Sequence, residues 1–314
     1  MKSLRKVFLP TDYAGGSTRY WEAQWLDELR PFTGITARLL KEHLSTPTRL
    51  LEAGCGQGEV AAGLASLGLP VIGVDLAIDA LTACRARHPD LPLVVGNVGC
   101  LPFRDHAFDA VVSLGVVEHF EAGPVAILHE HRRVATHDAL VFLTVPARGW
   151  YRRWSDLYHF RFKREGLYRQ RNRMVGLRTR PVKEARHGLA FHQYEFPRRM
   201  IQRMCDAAGL EVEHWQPFGV AWALGDSQAL AQLASRISPN EHPDDVSPVD
   251  ASQPNRPENE APASRSIRSY LRTAVIDEDG SDPIQRLFAW SAAHALGHMQ
   301  LLIARPRTSA NDTA

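Results

Sequence analysis

The apolar positions of the chain change period along its length. Between residues 17 and 29, Trp21, Trp25 and Leu29 fall four apart on one helical face, with Ser17 placed to cap it. A second short helix is predicted over 35–44, ahead of Pro47. From residue 49 the pattern becomes short apolar runs separated by helical stretches. Strands are predicted at 49–53, 70–74, 93–95, 107–114 and 139–145, and helices at 59–67, 76–87 and 124–134. Gly68 and Pro89 stop two of these helices, and Pro146 closes the fifth strand. Strands apolar on both faces that alternate with helices imply a parallel sheet covered on both sides, with right-handed crossovers. Further on, Met200, Ile201, Met204, Cys205 and Ala208 form a helical stripe, with Pro197 at its first turn and Gly209 past its end. A strand at 210–215, a helix at 283–296 and a last strand at 299–304 complete the pattern. The expected fold is a doubly wound α/β sheet of about seven strands, mostly parallel.

Two segments do not fit this rhythm. Residues 148–186 carry 13 Lys or Arg against three acids, a net charge of +10 in a chain whose total is +2. Residues 237–266 hold six prolines, six acids and no aromatic residue, a composition that cannot bury enough apolar surface to offset ordering. The predicted division is therefore a helical N-terminal lid (1–46), a ligand-binding core (47–146), a basic aromatic cap inserted after strand five (147–196), a continuation of the core (197–236), a disordered acidic insert (237–266), and a C-terminal helix with the last core strand (267–314).

Composition narrows the class. At 44% hydrophobic and 23% charged residues, the bulk of the chain is neither fibrous nor disordered. No apolar run is long enough for a membrane helix, and residues 1–10 lack the apolar region of a secretory leader. The four cysteines are scattered, without a CxxC pair, which excludes a disulfide scaffold or zinc ribbon and suits the cytoplasm. The 14 histidines do not group with acids at ligand spacing, so no metal is expected.

The informative segment is Leu50-Leu-Glu-Ala-Gly-Cys-Gly-Gln-Gly58, where a strand runs into three glycines and then a helix. Glycines let a ligand approach the backbone closely. A dinucleotide would need a third glycine where Glu59 stands, and Glu52 adds further negative charge; such a loop is a poor phosphate cradle. It suits a ligand with a cationic end. Asp75, 23 residues after Glu52, ends the second strand where a carboxylate can accept from both hydroxyls of a ribose. Asn97, at the end of the third strand, can accept from an adenine amino group while Val98 covers the ring.

As a set, these residues resemble the class I S-adenosylmethionine-dependent methyltransferases of the broad small-molecule, type 11 or UbiE-like group, over 49–145, 193–217 and 299–304. The resemblance implies a Rossmann-like core with S-adenosylmethionine as cofactor. Glu52, Gly54, Cys55, Gly56 and Gly58 would lie along its methionine part, and Asp75 and Leu76 would bind at the ribose. Asn97 and Val98 would lie at the adenine, and Leu114 and Gly115 near the methyl group. Asn97 departs from the family, where Asp is usual. The Cys55 side chain itself reads as a small filler, since nothing nearby would lower a thiol pKa.

Three residues are candidates for handling the acceptor: His119, after strand four, and His192 and Tyr194, at the end of the basic insert. Methyl transfer needs in-line positioning, and a base only where the acceptor must lose a proton. His119 thus reads either as a general base or as a strut for the helix after strand four; His192 and Tyr194 read as acceptor contacts or as packing anchors. Trp21 and Trp25 read as lid packing, with Tyr13 and Tyr20 able to close over the site. The basic block can bind an anionic small-molecule acceptor, lie on an anionic membrane surface, hold RNA, or be a solvated cap. Nucleic-acid base methylation fits poorly. An adenine-N6 enzyme typically has an Asp/Asn-Pro-Pro-aromatic turn where this chain has Leu114-Gly-Val-Val117, and no cysteine is placed as a cytosine-C5 nucleophile. The rival readings are an RNA-directed methyltransferase and a non-catalytic protein that retains the cofactor pocket.

Overall fold

The computed structural model describes residues 5–10, 34–44, 49–148, 189–218 and 299–307. The helices expected at 17–29 and 283–296, the 237–266 insert and the basic block beyond Arg148 lie outside them. Seven strands form the main sheet: β2 (Leu50–Ala53), β3 (Val71–Asp75), β4 (Leu93–Val95), β5 (Phe108–Leu114), β6 (Ala135–Pro146), β8 (Leu210–Phe218) and β9 (Met299–Pro306). Their spatial order is β4-β3-β2-β5-β6-β9-β8. From β4 through β6 all pairings are parallel; β9 runs antiparallel to β6. The doubly wound, mostly parallel sheet is therefore present.

Burial explains why the strands read as unbroken apolar runs. All four residues of β2 are buried, as are Val141, Phe142 and Leu143 of β6 and Leu301, Leu302 and Ile303 of β9. Between the strands lie α2 (Glu59–Ser66), α3 (Ile78–Arg87), α4 (Val125–Val134) and α5 (Arg198–Ala207). Each turns an apolar stripe to the core; in α5 the stripe is Ile201, Met204 and Cys205, with Pro197 as N-cap. β6 starts four residues earlier than expected, because α4 runs directly into Ala135, which pairs with Phe108 across a register irregularity.

Within the expected N-terminal lid, residues 5–10 are extended and residues 11–33 lie outside the described ones. Residues 5–10 form strand β1 (Arg5–Pro10), which pairs antiparallel with β7 (Leu189–Glu195) in a separate two-stranded ribbon. Helix α1 (Gly34–His43), expected at 35–44, packs on the sheet. Leu40 is fully buried, and His43 meets Phe142 edge-on at 6.2 Å and His214 at 6.3 Å.

Candidate functional site

The carboxyl ends of β2 to β6 gather at one edge of the sheet, where open α/β folds bind ligands. The glycine loop there is held by backbone geometry. The N–H groups of Gly54 and Cys55 both donate to Val74 O, at 2.8 and 3.0 Å, and Gly58 N–H donates to Cys55 O at 2.8 Å. Gly54 has φ +85°, and a Cβ on it would lie 2.5 Å from Val116 Cγ2. Gly58 has φ +79°, and a Cβ there would overlap Cys84 Sγ. Both positions therefore need glycine for conformation and for space. The loop lies directly against the segment that follows β5.

Asp75 organises the loop from the neighbouring strand. Its Oδ2 accepts from Gly56 N–H at 2.8 Å and its Oδ1 from Ala77 N–H at 2.9 Å. Glu52 lies beneath the loop, 4% exposed, and its Oε2 accepts from Ala61 N–H at 2.7 Å. This bond caps α2, whose N-cap, Gly58, has no side chain to do so. Burial raises the Glu52 pKa to about 8, with the Ala61 bond opposing and the charges of Asp75 and Glu59 adding to the rise. Behind the loop, Arg87 donates to Gln57 O at 3.1 Å and pairs with Glu59 at 3.2 Å.

Two expected contact residues turn inward. Cys55 is buried, its Sγ 2.8 Å from where a Cβ on Gly73 would sit; burial and the nearby Glu52 charge push its thiol pKa far up. Its side chain is a filler, and only its backbone belongs to the loop. Val98 is 6% exposed and packs in the core with Leu101 and Ile127, so it does not present a face for a ring. The apolar surface beside Asp75 comes from Leu76, 49% exposed, and Val95, 56% exposed, the register partner of Asp75. Val95 was missed in the sequence, although an apolar residue at a strand end ahead of Gly96-Asn97 is a usable signal. Asn97 is exposed, and its Oδ1 accepts from Gly99 N–H at 2.8 Å, which fixes the amide and leaves Oδ1 one further lone pair.

The other half of the edge begins at Leu114 and Gly115, both half-buried; Gly115 N–H donates to Thr144 O at 3.1 Å. A single 3₁₀ turn, Val117–His119, follows. Within it Glu118 is 2% exposed, its Oε2 has no hydrogen-bond partner, and burial raises its pKa to about 8. His119 Nδ1–H donates to His192 O at 2.8 Å, and the two imidazoles meet edge-on at 5.1 Å. His119 Nε2 lies 3.9 Å from Glu118 Oε1. Burial lowers the pKa of His119 to about 3 and of His192 to about 4, so both are neutral at pH 7. With Nδ1 committed to β7, His119 serves as a strut between the turn and the ribbon. His192 is half-buried and is the remaining candidate for touching an acceptor.

Tyr194 is an anchor and not an acceptor contact. It is 1% exposed, packs against Phe191 and Phe196, and its hydroxyl donates to Glu121 O at 2.7 Å. Lys6 of β1 reinforces the same place, pairing with Glu121 at 2.9 Å.

The two roots of the basic insert are fixed at this edge. Ala147 bridges to Phe196, Phe196 N–H donates to Pro146 O, and Arg148 N–H donates to Phe196 O, both at 3.0 Å. Gln300, 1% exposed in β9, donates from Nε2 to Phe196 O at 2.9 Å and accepts from Trp215 Nε1–H at 2.9 Å. Gln300 was also missed, although a lone amide in an apolar strand is a recognisable signal. Among the described residues, no group of three or more His, Cys, Asp or Glu could hold a metal. A cavity of about 840 Å³ opens at the opposite edge, among Leu50, Val71, Phe103 and Phe108, and shares only Arg87 with the residues around the glycine loop.

Comparison with known proteins finds methyltransferases. Residues 51–143 match the family model described as Methyltransferase domain. A probable S-adenosylmethionine-dependent methyltransferase of Mycobacterium tuberculosis is 33% identical over 103 residues, 33% of this chain and 37% of that protein. The ubiquinone biosynthesis O-methyltransferase of Hydrogenovibrio crunogenus is 28% identical over 139 residues, 40% of this chain and 57% of that protein. The chain thus spans well under two thirds of either relative. Among solved structures, the candidate methyltransferase in complex with the Trm112 methyltransferase activator of Haloferax volcanii superposes with a TM-score of 0.51 at 14% identity, over 93% of this chain and 96% of that one, a likeness of fold.

Proposed function

We propose that this chain, which matches the methyltransferase domain model over residues 51–143, transfers a methyl group from S-adenosylmethionine to oxygen or nitrogen of a small-molecule acceptor. The observation that carries the reading is Asp75, a carboxylate bonded to Gly56 N–H of a glycine loop that also holds the buried Glu52. The Asp75 carboxylate suits ribose hydroxyls, and a buried Glu52 that ionises when a cation approaches suits a ligand with a cationic end.

The residues fit the cofactor. Gly54, Gly56 and Gly58 border the methionine part, Asp75 the ribose, and Leu76, Val95 and Asn97 the adenine. Leu114 and Gly115 lie toward the methyl group. S-adenosylmethionine supplies an activated methyl on a sulfonium. The protein's share is to place the acceptor in line and to exclude water. Neutral His192 can accept a proton from an acceptor that must lose one. The ends of the insert, at Pro146 and Phe196, are fixed on the acceptor side, and its sequence carries a net charge of +10 over 148–186, which supports an anionic acceptor. Four free cysteines suit a reducing, cytoplasmic setting. No helix among the described residues is long and apolar enough to cross a membrane.

The test is transfer of labelled methyl from S-adenosylmethionine into fractionated cell extract. Label in the small-molecule fraction is the expected result. Label in RNA would replace this reading with an RNA-directed one, for which the basic block is the supporting feature. Cofactor binding without label in any fraction would point to a non-catalytic cofactor-binding protein.

A further inference from the structure

The loop after β4 carries Asn97 yet has little regular structure of its own. Between Gly96 and Ala107, its internal order consists of the Asn97–Cys100 bridge, with Cys100 N–H donating to Asn97 O at 2.9 Å, and the Asn97–Gly99 bond. Gly96 N–H donates to Asp75 O at 2.9 Å and His106 Nδ1–H to Ala135 O at 3.0 Å, and the fixed points between them come from α4. Arg133 uses all five of its N–H donors. Nε donates to Glu130 Oε1 at 2.8 Å. One terminal nitrogen donates to Phe103 O at 2.8 Å and Asp105 Oδ1 at 2.7 Å. The other donates to Leu101 O at 3.0 Å and Glu130 Oε2 at 2.9 Å. Glu130 Oε2 also accepts from Leu101 N–H at 2.8 Å.

Leu101 is therefore gripped by both its backbone groups. Cys100, directly before it, closes the turn on Asn97. The guanidinium is saturated, and its proximity holds the Glu130 carboxyl below the usual carboxylate range. A planar fork with five donors has no equivalent in lysine, whose ammonium offers three. Leu101 and Val98 anchor the underside of the loop in the core beside Ile127 and Leu128 of α4. The same helix follows the turn that bears His119, so α4 fixes the adenine-side loop in relation to the acceptor-side turn.

We propose that Arg133 and Glu130 are positioning residues for recognition of the adenine amino group: through Leu101 and Cys100 they hold Asn97 at the orientation in which it reads that group. The proposal rests on the S-adenosylmethionine reading of this site. Neither residue needs to touch the ligand.

The test is a pair of dissociation constants, for S-adenosylhomocysteine and for S-inosylhomocysteine, in which a carbonyl replaces the adenine amino group. They are measured on the full chain, on Arg133→Lys and on Glu130→Gln. The unaltered protein should prefer the adenosine compound by about tenfold, the value of one well-made hydrogen bond. In Arg133→Lys the preference should shrink to about twofold, mostly through weaker binding of S-adenosylhomocysteine. Glu130→Gln keeps an acceptor for Leu101 N–H and should lose part of the preference, which preserves the test if Arg133→Lys does not fold. A preference unchanged in both variants, with the two constants moving together or not at all, would mean that the cluster is merely structural. Equal binding of both compounds by the unaltered protein would also overturn the proposal. Failure of the unaltered protein to bind either compound would instead remove the methyltransferase reading itself.

Discussion

The two halves of the carboxyl edge are built differently. In the cofactor half, around β2, β3 and β4, each key side chain finds its partner nearby in sequence. Asp75 meets Gly56 across 19 residues, Glu52 meets Ala61 across 9, and Asn97 meets Gly99 across 2. In the acceptor half, around β5, β6, β7 and β9, the partners are remote. His119 meets His192 across 73 residues, Tyr194 meets Glu121 across 73, Gln300 meets Phe196 across 104, and Lys6 meets Glu121 across 115. A short loop can fix a site by local spacing, whereas long-range contacts depend on how the whole chain closes. The cofactor half is accordingly fixed by local contacts, and the acceptor half by contacts that close the whole chain.

The largest expected effect starts in the cofactor half, at its contact with the segment after β5. Gly54→Ala forces a β-carbon into a left-handed position and against Val116. Backbone strain and overpacking together cost about 3 kcal/mol, on the order of a hundredfold in binding. S-adenosylhomocysteine affinity measured by calorimetry should fall accordingly, with the ribbon and the insert roots intact by hydrogen exchange. A loss below about threefold would show that the loop does not hold the ligand.

A smaller effect should break the acceptor half alone. Gln300→Leu removes the donor to Phe196 O and the acceptor for Trp215 Nε1–H. The KM for the acceptor should rise about tenfold, as expected for losing about one to two net hydrogen bonds, while the S-adenosylhomocysteine constant stays within about twofold. Equal changes in both would mean that the halves are not separable.

The smallest effect sharpens the comparison through pH. Glu52 has a pKa of about 8 in the ligand-free protein, raised mainly by burial. A carboxyl raised on folding contributes stability that is fully present below its unfolded value and is lost as pH rises through about 8. A cationic ligand favours the ionised form, so binding should tighten from pH 6 to 8 and release up to about one proton. Binding enthalpies at pH 7 in buffers of different ionisation heat should reveal that proton, and Glu52→Gln should abolish it. An unchanged proton count in Glu52→Gln would assign the release to another group, with Glu118 the next to test.

The same contrast explains what could be read in the sequence. Both-face burial made the strands of the main sheet legible, because β2, β3, β5, β6 and β9 are almost unbroken apolar runs. The glycine loop and Asp75 were legible because their spacing is local. β1 was not, since a six-residue run has no meaning until β7, more than 170 positions later, pairs with it. Tyr194 looked available because sequence marks a tyrosine near a site but not the carbonyl that its hydroxyl reaches. Val98 misled for a related reason, whereas the Cys55 side chain is the small filler expected. A residue in a ligand-binding loop can turn either outward or inward, and here the core took both side chains.

The central claim is that Asp75 and the glycine loop form a pocket for S-adenosylmethionine. The most direct measurement is calorimetric titration with S-adenosylhomocysteine, with Asp75→Ala and NAD as controls. Micromolar binding that is lost in Asp75→Ala, with no heat from NAD, is the expected result. Well-folded protein that does not bind S-adenosylhomocysteine would contradict the account.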